Sequence, residues 1–194
     1  MNDIGIVRLS HVGFAVGDID EFRGTWGAAL GITSWAVREI TQEPGTTKLR
    51  GAVAGPAFSR IAFARLADTS VELVEPHHGE TRTALWLAEH GPGIHHLAFW
   101  VADLTRALHA LGDSVEVTYS PVDVASAAMI RGTGALPTVD DVAGFWAYTE
   151  HHAADVPWCL ELLDARRAGT LRATFGDHLV YPDTPATRLP ADAA

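Results

Sequence analysis

The sequence predicts an α+β fold of two βαβββ modules that close around a metal-centred cavity, and three observations predict it. Residues 9–20, LSHVGFAVGDID, and 94–105, IHHLAFWVADLT, share one pattern: an alternating apolar segment with an early histidine, then valine, a small residue and an aspartate. Residues 70–75, SVELVE, and 159–164, CLELLD, share a second, each centred on a glutamate between bulky apolar residues. His11 and His96 lie 85 positions apart and Glu72 and Glu161 lie 89 apart. Two landmarks recurring in the same order at nearly one offset mark an internal duplication.

Each element of the unit follows from local pattern. The alternation at the start of each copy suits a β-strand, whose side chains change face at every residue. Asp18 and Asp103 then stand where a helix N-cap belongs. The helices run through EFRGTWGAALG and TRALHALG, and each closes on a glycine. Three strands follow: ITSWAVREI, RIAFARL and SVELV in the first copy, and SVEVTYS, GFWAYTE and WCLELL in the second. The resulting organisation is a first module over 1–78, a linker helix over 79–93 ended by Gly91, Pro92 and Gly93, and a second module over 94–165. Within the second module, 121–142 is Gly/Ala-rich with weak periodicity and is expected to be a long loop or lid. Residues 166–194 are expected to be a frayed C-terminal tail.

Composition narrows the function. A formal charge of −10 argues against nucleic acid, which requires a basic face to replace counterions. Lys48 is the only lysine, which counts against ligands with many phosphates. No uncharged apolar run reaches about 18 residues, so no membrane span is expected. The N-terminus lacks the basic and apolar regions of a signal peptide, so the expected location is cytoplasmic. The single cysteine, Cys159, excludes an intrachain disulfide and a thiolate zinc cage, and its apolar surroundings suggest an inert thiol.

Strand parity selects the candidate site. His11 shares a face with Gly13 and Ala15, while Val12, Phe14 and Val16 take the helix side. His96 shares its face with Ala98 and Trp100, which turns His95 the other way. Glu72 and Glu161 each sit between residues of the helix side. Glu75, which ends its strand before Pro76, is expected to be solvated. A carboxylate centred in an apolar strand is costly to bury unless something pairs with it. Two imidazoles and two carboxylates sharing one cation offset that cost. The N2O2 set suits nickel, cobalt, zinc, manganese or iron, and an octahedral ion would keep two positions open.

With these residues in hand, the chain resembles the vicinal oxygen chelate superfamily (glyoxalase, bleomycin resistance and dioxygenase proteins), and among its members the methylmalonyl-CoA epimerases. The resemblance is carried by LSHVGFAV, IAFARLADTSVELVEP, LWLAEHGPGIHHLAFWVADLTRAL and LELLD. It covers residues 7 to about 112 and resumes near 143–164. It implies metal ligands at His11, Glu72, His96 and Glu161, the histidine of the pair that parity also selects. The chain departs from the epimerases over ASAAMIRGTGALPTVDDVAGFWAYTEHHAADVPW, where a histidine–proline pair is usual. The resemblance leaves the oligomeric state open: two modules in one chain complete a site alone, yet relatives often dimerise, so a homodimer is one of the two states it allows.

The implied chemistry is proton transfer next to a carbonyl. The expected substrate is a small molecule with neighbouring oxygens, such as a 1,3-dicarbonyl, 2-hydroxy ketone or hemithioacetal, and the activity is that of an epimerase, an isomerase or a glyoxalase-like lyase. The cation acts as Lewis acid, and Glu161 or Glu72 takes the proton, with His151 and His152 in reserve. Trp100, Trp146 and Tyr148 are expected to line the substrate pocket. Two rivals share the fold: an extradiol-type dioxygenase, which Glu72 as fourth ligand opposes, and a metal-free antibiotic-binding protein, which the retained ligand set opposes.

Overall fold

The computed structural model of the protein describes residues 3–121, 146–153 and 156–180. In the first half the elements are β1 (Ile6–Ala15), α1 (Ile19–Phe22), β2 (Ala36–Gln42), β3 (Thr47–Leu49), β4 (Ala52–Val53), β5 (Ala57–Leu66) and β6 (Thr69–His78). Helix α2 (Arg82–His90) leads to β7 (Gly93–Val101), α3 (Leu104–Leu111), β8 (Val115–Pro121), β9 (Trp146–His151), β10 (Cys159–Asp164) and α4 (Ala168–Phe175).

The strands form one mixed sheet in the order β2-β5-β6-β1-β7-β10-β9-β8-β3-β4. Its centre is palindromic: β1 pairs antiparallel with β7, and each is flanked by a parallel partner, β6 or β10. The sheet must curl. From Gln42 to Thr47 the chain reaches at most about 18 Å, yet β2 and β3 are eight strand steps apart, about 38 Å if the sheet were flat. Tyr119 closes the curl by donating its hydroxyl to Gln42 Oε1. The result is a curled α+β half-barrel, the class the sequence predicts.

The first helix of each module packs on the convex face. Around α1, Ile19 meets Ala62, Val71 and Leu73; around α3, Leu104 and Leu108 meet Val101, Ala147 and Leu162. Asp18 and Asp103 cap them, Asp18 Oδ1 accepting from Asp20 N at 2.7 Å and Asp103 Oδ1 from Arg106 N at 2.9 Å. After Phe22 the first of these helices widens into a π turn over Arg23–Gly27.

Three features depart from expectation. Glu75 is buried rather than solvated: its Oε2 accepts from Ile19 N at 3.0 Å and from Arg60 Nη1 at 3.2 Å. Asp164 does the same for α3, accepting from Leu104 N at 3.1 Å. A helix start offers free N–H groups and a partial positive charge, which satisfy a buried carboxylate. Second, the β3–β4 hairpin of the first half pairs with β8 of the second, covering what would otherwise be an open sheet edge.

Third, the segment after Asp164 is no frayed tail as far as Val180. Helix α4 and the following turn bury Leu171, Phe175, Leu179 and Val180 against Phe63, Trp100 and Leu163. Arg38 Nε donates to Thr174 O at 2.9 Å, Ser34 Oγ lies 2.8 Å from His178 Nε2, and Ser70 Oγ donates to His178 O. The remainder of the tail, 181–194, and all but the first residue of the expected loop 121–142 lie outside the described residues. No described helix is long and apolar enough to cross a membrane.

Candidate metal centre

The central strands carry His11 (β1) and His96 (β7), and their parallel neighbours carry Glu72 (β6) and Glu161 (β10). Register brings them together: Glu72 is level with Gly13, whose missing side chain makes room for the His96 ring, and Glu161 is level with Ala98. All four side chains are buried. His11 Nε2 lies 3.1 Å from His96 Nε2, 3.2 Å from Glu72 Oε2 and 2.9 Å from Glu161 Oε2. His96 Nε2 lies 2.8 Å from Glu72 Oε2 and 3.5 Å from Glu161 Oε2. One ligand atom from each residue falls within 4.8 Å of all the others, so the group can hold a metal ion.

The spacing itself tests the fit. Donors about 2.1 Å from an ion stand about 3.0 Å apart at adjacent corners of an octahedron and about 4.2 Å apart at opposite ones. The five separations run from 2.8 to 3.5 Å, as expected for donors that share one ion in an octahedral or a tetrahedral set, whose edge is about 3.4 Å. Both Oε2 atoms are sealed from solvent, and although imidazole nitrogens stand close, neither has a hydrogen-bond partner of acceptable geometry among the described residues. Two buried acceptors facing two ring nitrogens at this distance fit a shared cation better than a hydrogen-bond network.

Without an ion, a proton takes its place. Burial disfavours a charged His11, but the close approach of the Glu161 and Glu72 carboxylates outweighs it and lifts its pKa from 6.5 to about 9. Burial pushes Glu72 upward, and His11 and His96 outweigh it, holding the carboxyl well below the usual range. A raised pKa stabilises the metal-free fold fully below 6.5, and the contribution is lost as pH rises through about 9. A cation must displace that proton, so affinity for a divalent ion should rise with pH by up to about tenfold per unit, then level off above pH 9. Titration calorimetry across this range checks the slope; a flat profile contradicts it.

Two further residues hold the histidines. The β1–β7 ladder slips at three places, two of which, at Ser10 and His95, adjoin the site, each an extra residue facing no partner, as in a β-bulge. Both bulges re-aim a side chain toward its neighbour. Ser10 Oγ lies 3.1 Å from His11 Nδ1, and His95 Nδ1 lies 2.8 Å from His96 Nδ1. Strict alternation turns His95 away from the site; the bulge reverses that. Burial, His96 and Arg82 depress the His95 pKa well below 6.5, so its ring is neutral and Nδ1 can accept from His96 Nδ1–H. The signal is present in the sequence, because Ser10 and His95 stand at the same 85-residue offset as the two histidines they hold. His95→Ala should weaken metal affinity by about 10–100-fold, the usual cost of losing a partner that orients a ligand. A competition assay against a chelator of known affinity measures it, and an unchanged constant rules out the orienting role.

A family model described as the Glyoxalase/Bleomycin resistance protein/Dioxygenase superfamily matches residues 10–129, more than half of the chain. The chain belongs to this superfamily. The Bacillus subtilis (strain 168) protein YqjC is 29% identical over 106 residues, 55% of this chain and 66% of that protein, just under two thirds of its length. Among solved structures, a hypothetical protein from Bacillus halodurans C-125 is 21% identical with a TM-score of 0.49, over 80% of this chain and 92% of that one. Methylmalonyl-CoA epimerase from Mycobacterium tuberculosis is 20% identical with a TM-score of 0.43, over 84% and 92%. Proteins of the glyoxalase-like fold commonly bind a divalent metal, and the His/Glu/His/Glu cluster of this member can hold one.

In this glyoxalase-like chain three of the four, His11, Glu72 and Glu161, form the floor of a cavity of about 260 Å³. Trp146 and Tyr148 line it, as does Tyr119, which parity reasoning does not single out. Trp100 does not. It sits on the concave face as parity requires, but α4 covers it, and it packs with Phe63, Leu163 and Phe175. A frayed tail, as the sequence predicts there, would have left the indole uncovered. His151 and His152 are exposed and outside the cavity wall, and His77 pairs with Glu75 at 2.9 Å. Cys159 is buried, and burial raises its pKa to about 12, which makes the thiol a poor nucleophile.

Proposed function

We propose that this chain is a divalent-metal-dependent enzyme that moves a proton on a carbon next to a carbonyl, as an epimerase, isomerase or glyoxalase-like lyase would. One observation carries the reading: four metal-competent donors meet beside a cavity, and two of them belong to carboxylates that line it. His11, Glu72, His96 and Glu161 would hold the ion. When bound, such an ion supplies Lewis acidity toward two neighbouring oxygens and charge to offset an enolate.

The remaining work falls to the protein. Glu161 and Glu72 enter the cavity from strands on opposite sides of the β1–β7 pair, so either is placed to take a proton from a substrate seated between them. Tyr148 cannot serve as base, because burial and the nearby carboxylates push its pKa well above 10. The lining is mainly apolar, with Gln42, Ser59, Thr81, Thr83 and Thr174 among it, and a substrate that displaced water from it would strengthen each electrostatic contact at the carboxylates.

The test is solvent deuterium exchange into 1,3-dicarbonyl and 2-hydroxy ketone compounds by protein loaded with manganese, cobalt, nickel, zinc or iron. Exchange should require the ion, and Glu161→Gln, assayed at saturating metal, should slow it by about 10²–10⁴-fold, the contribution of a positioned base. Loaded protein that exchanges none of these compounds would refute the reading. Oxygen uptake with a catechol would point instead to the dioxygenase branch of the superfamily.

A further inference from the structure

We infer that the site takes a compact, apolar substrate with no phosphate-bearing arm, an aryl or branched 1,3-dicarbonyl or hydroxy ketone, and that α4 is the wall that selects it. The inference rests on the metal-site reading above and adds the substrate class.

Charge is the first observation. No arginine or lysine lines the cavity among the described residues, while Glu72 and Glu161 occupy its floor. Outside the described residues the sequence holds two basic side chains, Arg131 and Arg188, against the acids Asp123, Asp140, Asp141, Asp155, Asp183 and Asp192. Phosphate recognition relies on arginine, lysine or free backbone N–H groups. A polyphosphorylated carrier thioester would meet a net charge of −10 with little to offset it.

Shape is the second. The Tyr119 and Tyr148 rings stack at 5.9 Å with planes 10° apart, and Trp146 tilts against both at 5.2 and 5.6 Å. Opposite the sheet, α4 and its following turn contribute Leu171, Phe175 and Leu179 to the lining. Phe175 meets Phe63 edge-on at 4.7 Å. The volume of about 260 Å³ lies at the small end of ligand sites. The polar floor therefore receives the two oxygens, and the aromatic and aliphatic walls receive a ring or branched chain of modest size.

The experiment compares benzoylacetone, acetylacetone and an acyl-CoA carrying the same 1,3-dicarbonyl head. Binding is read by calorimetry on manganese-loaded and on EDTA-treated full chain, and deuterium exchange is read separately. The expected result is that loaded protein binds benzoylacetone at least about tenfold more tightly than either competitor, the effect of burying one ring. The phenyl-over-methyl preference should persist without metal. Phe175→Ala should shrink it, read on the EDTA-treated protein so that the ion site does not enter the comparison. Equal or tighter binding of the acyl-CoA, or no phenyl preference, overturns the substrate class even if exchange is observed. Selective binding without exchange upholds the class and refutes the enolate chemistry. The wild-type comparison decides the matter even if the Phe175 variant does not fold.

Discussion

Replacing His96 with alanine should reduce affinity for a divalent ion by about 10²–10⁴-fold. That range corresponds to the roughly 3–5 kcal/mol typical of removing one partner from a buried charged group, at about 1.4 kcal/mol per tenfold. Three considerations place the effect at the top of those expected here. His96 is fully buried, so its removal empties a packed site as well as deleting a donor. Its Nε2 stands 2.8 Å from Glu72 Oε2, so the carboxylate loses a neighbour it cannot replace. His11 is left to face both acids alone. The variant should therefore lose metal-dependent proton exchange and bind manganese weakly, as followed by electron paramagnetic resonance of the free ion. Wild-type affinity in His96→Ala would place the ion, if any, elsewhere.

Gly13→Ala should disable the same site without touching a donor. A Cβ built on Gly13 would fall 1.9 Å from His96 Cε1, 2.2 Å from Nε2 and 2.4 Å from Nδ1. No rotamer relieves three such contacts at once, because His96 Nδ1 is held by His95 at 2.8 Å and the ring also meets Tyr148. Either the imidazole leaves the cluster or β1 parts from β7. The expected outcome is metal affinity reduced to the level of His96→Ala, with about 1–3 kcal/mol of destabilisation from overpacking. Gly17→Ala is the control, since its added Cβ meets nothing within 4 Å. Calorimetry and thermal unfolding on both variants separate the outcomes; a Gly13→Ala protein that binds metal normally would show that the ring has room the structure does not give it.

Local pattern is enough to reveal the recurring strand, the capped helix that follows it, and the four residues that the fold brings together. Each rests on a physical rule that acts over a few residues. Period-two alternation places His11, His96, Glu72 and Glu161 on the face opposite the helices, and a matched offset pairs them across the copies. Asp18 and Asp103 announce their helices because a cap is a local hydrogen bond. Glu75 and Asp164 are legible in the same way, at the 89-residue offset of the two glutamates, but their role depends on Ile19 and Leu104 lying beside them.

Other features exist only once distant segments meet. The bulges at Ser10 and His95 break the alternation that parity assumes, and a bulge is a property of two paired strands rather than of one. The crossing of β3–β4 onto β8 joins segments far apart in the chain, Thr47 facing Pro121, which no local period reports. The docking of α4 over Trp100 turns an expected cavity residue into core and supplies the wall the cavity lacks. Hydrophobic burial is nondirectional: a sequence shows that Leu171, Phe175 and Leu179 must be covered, and only the folded sheet shows what they cover.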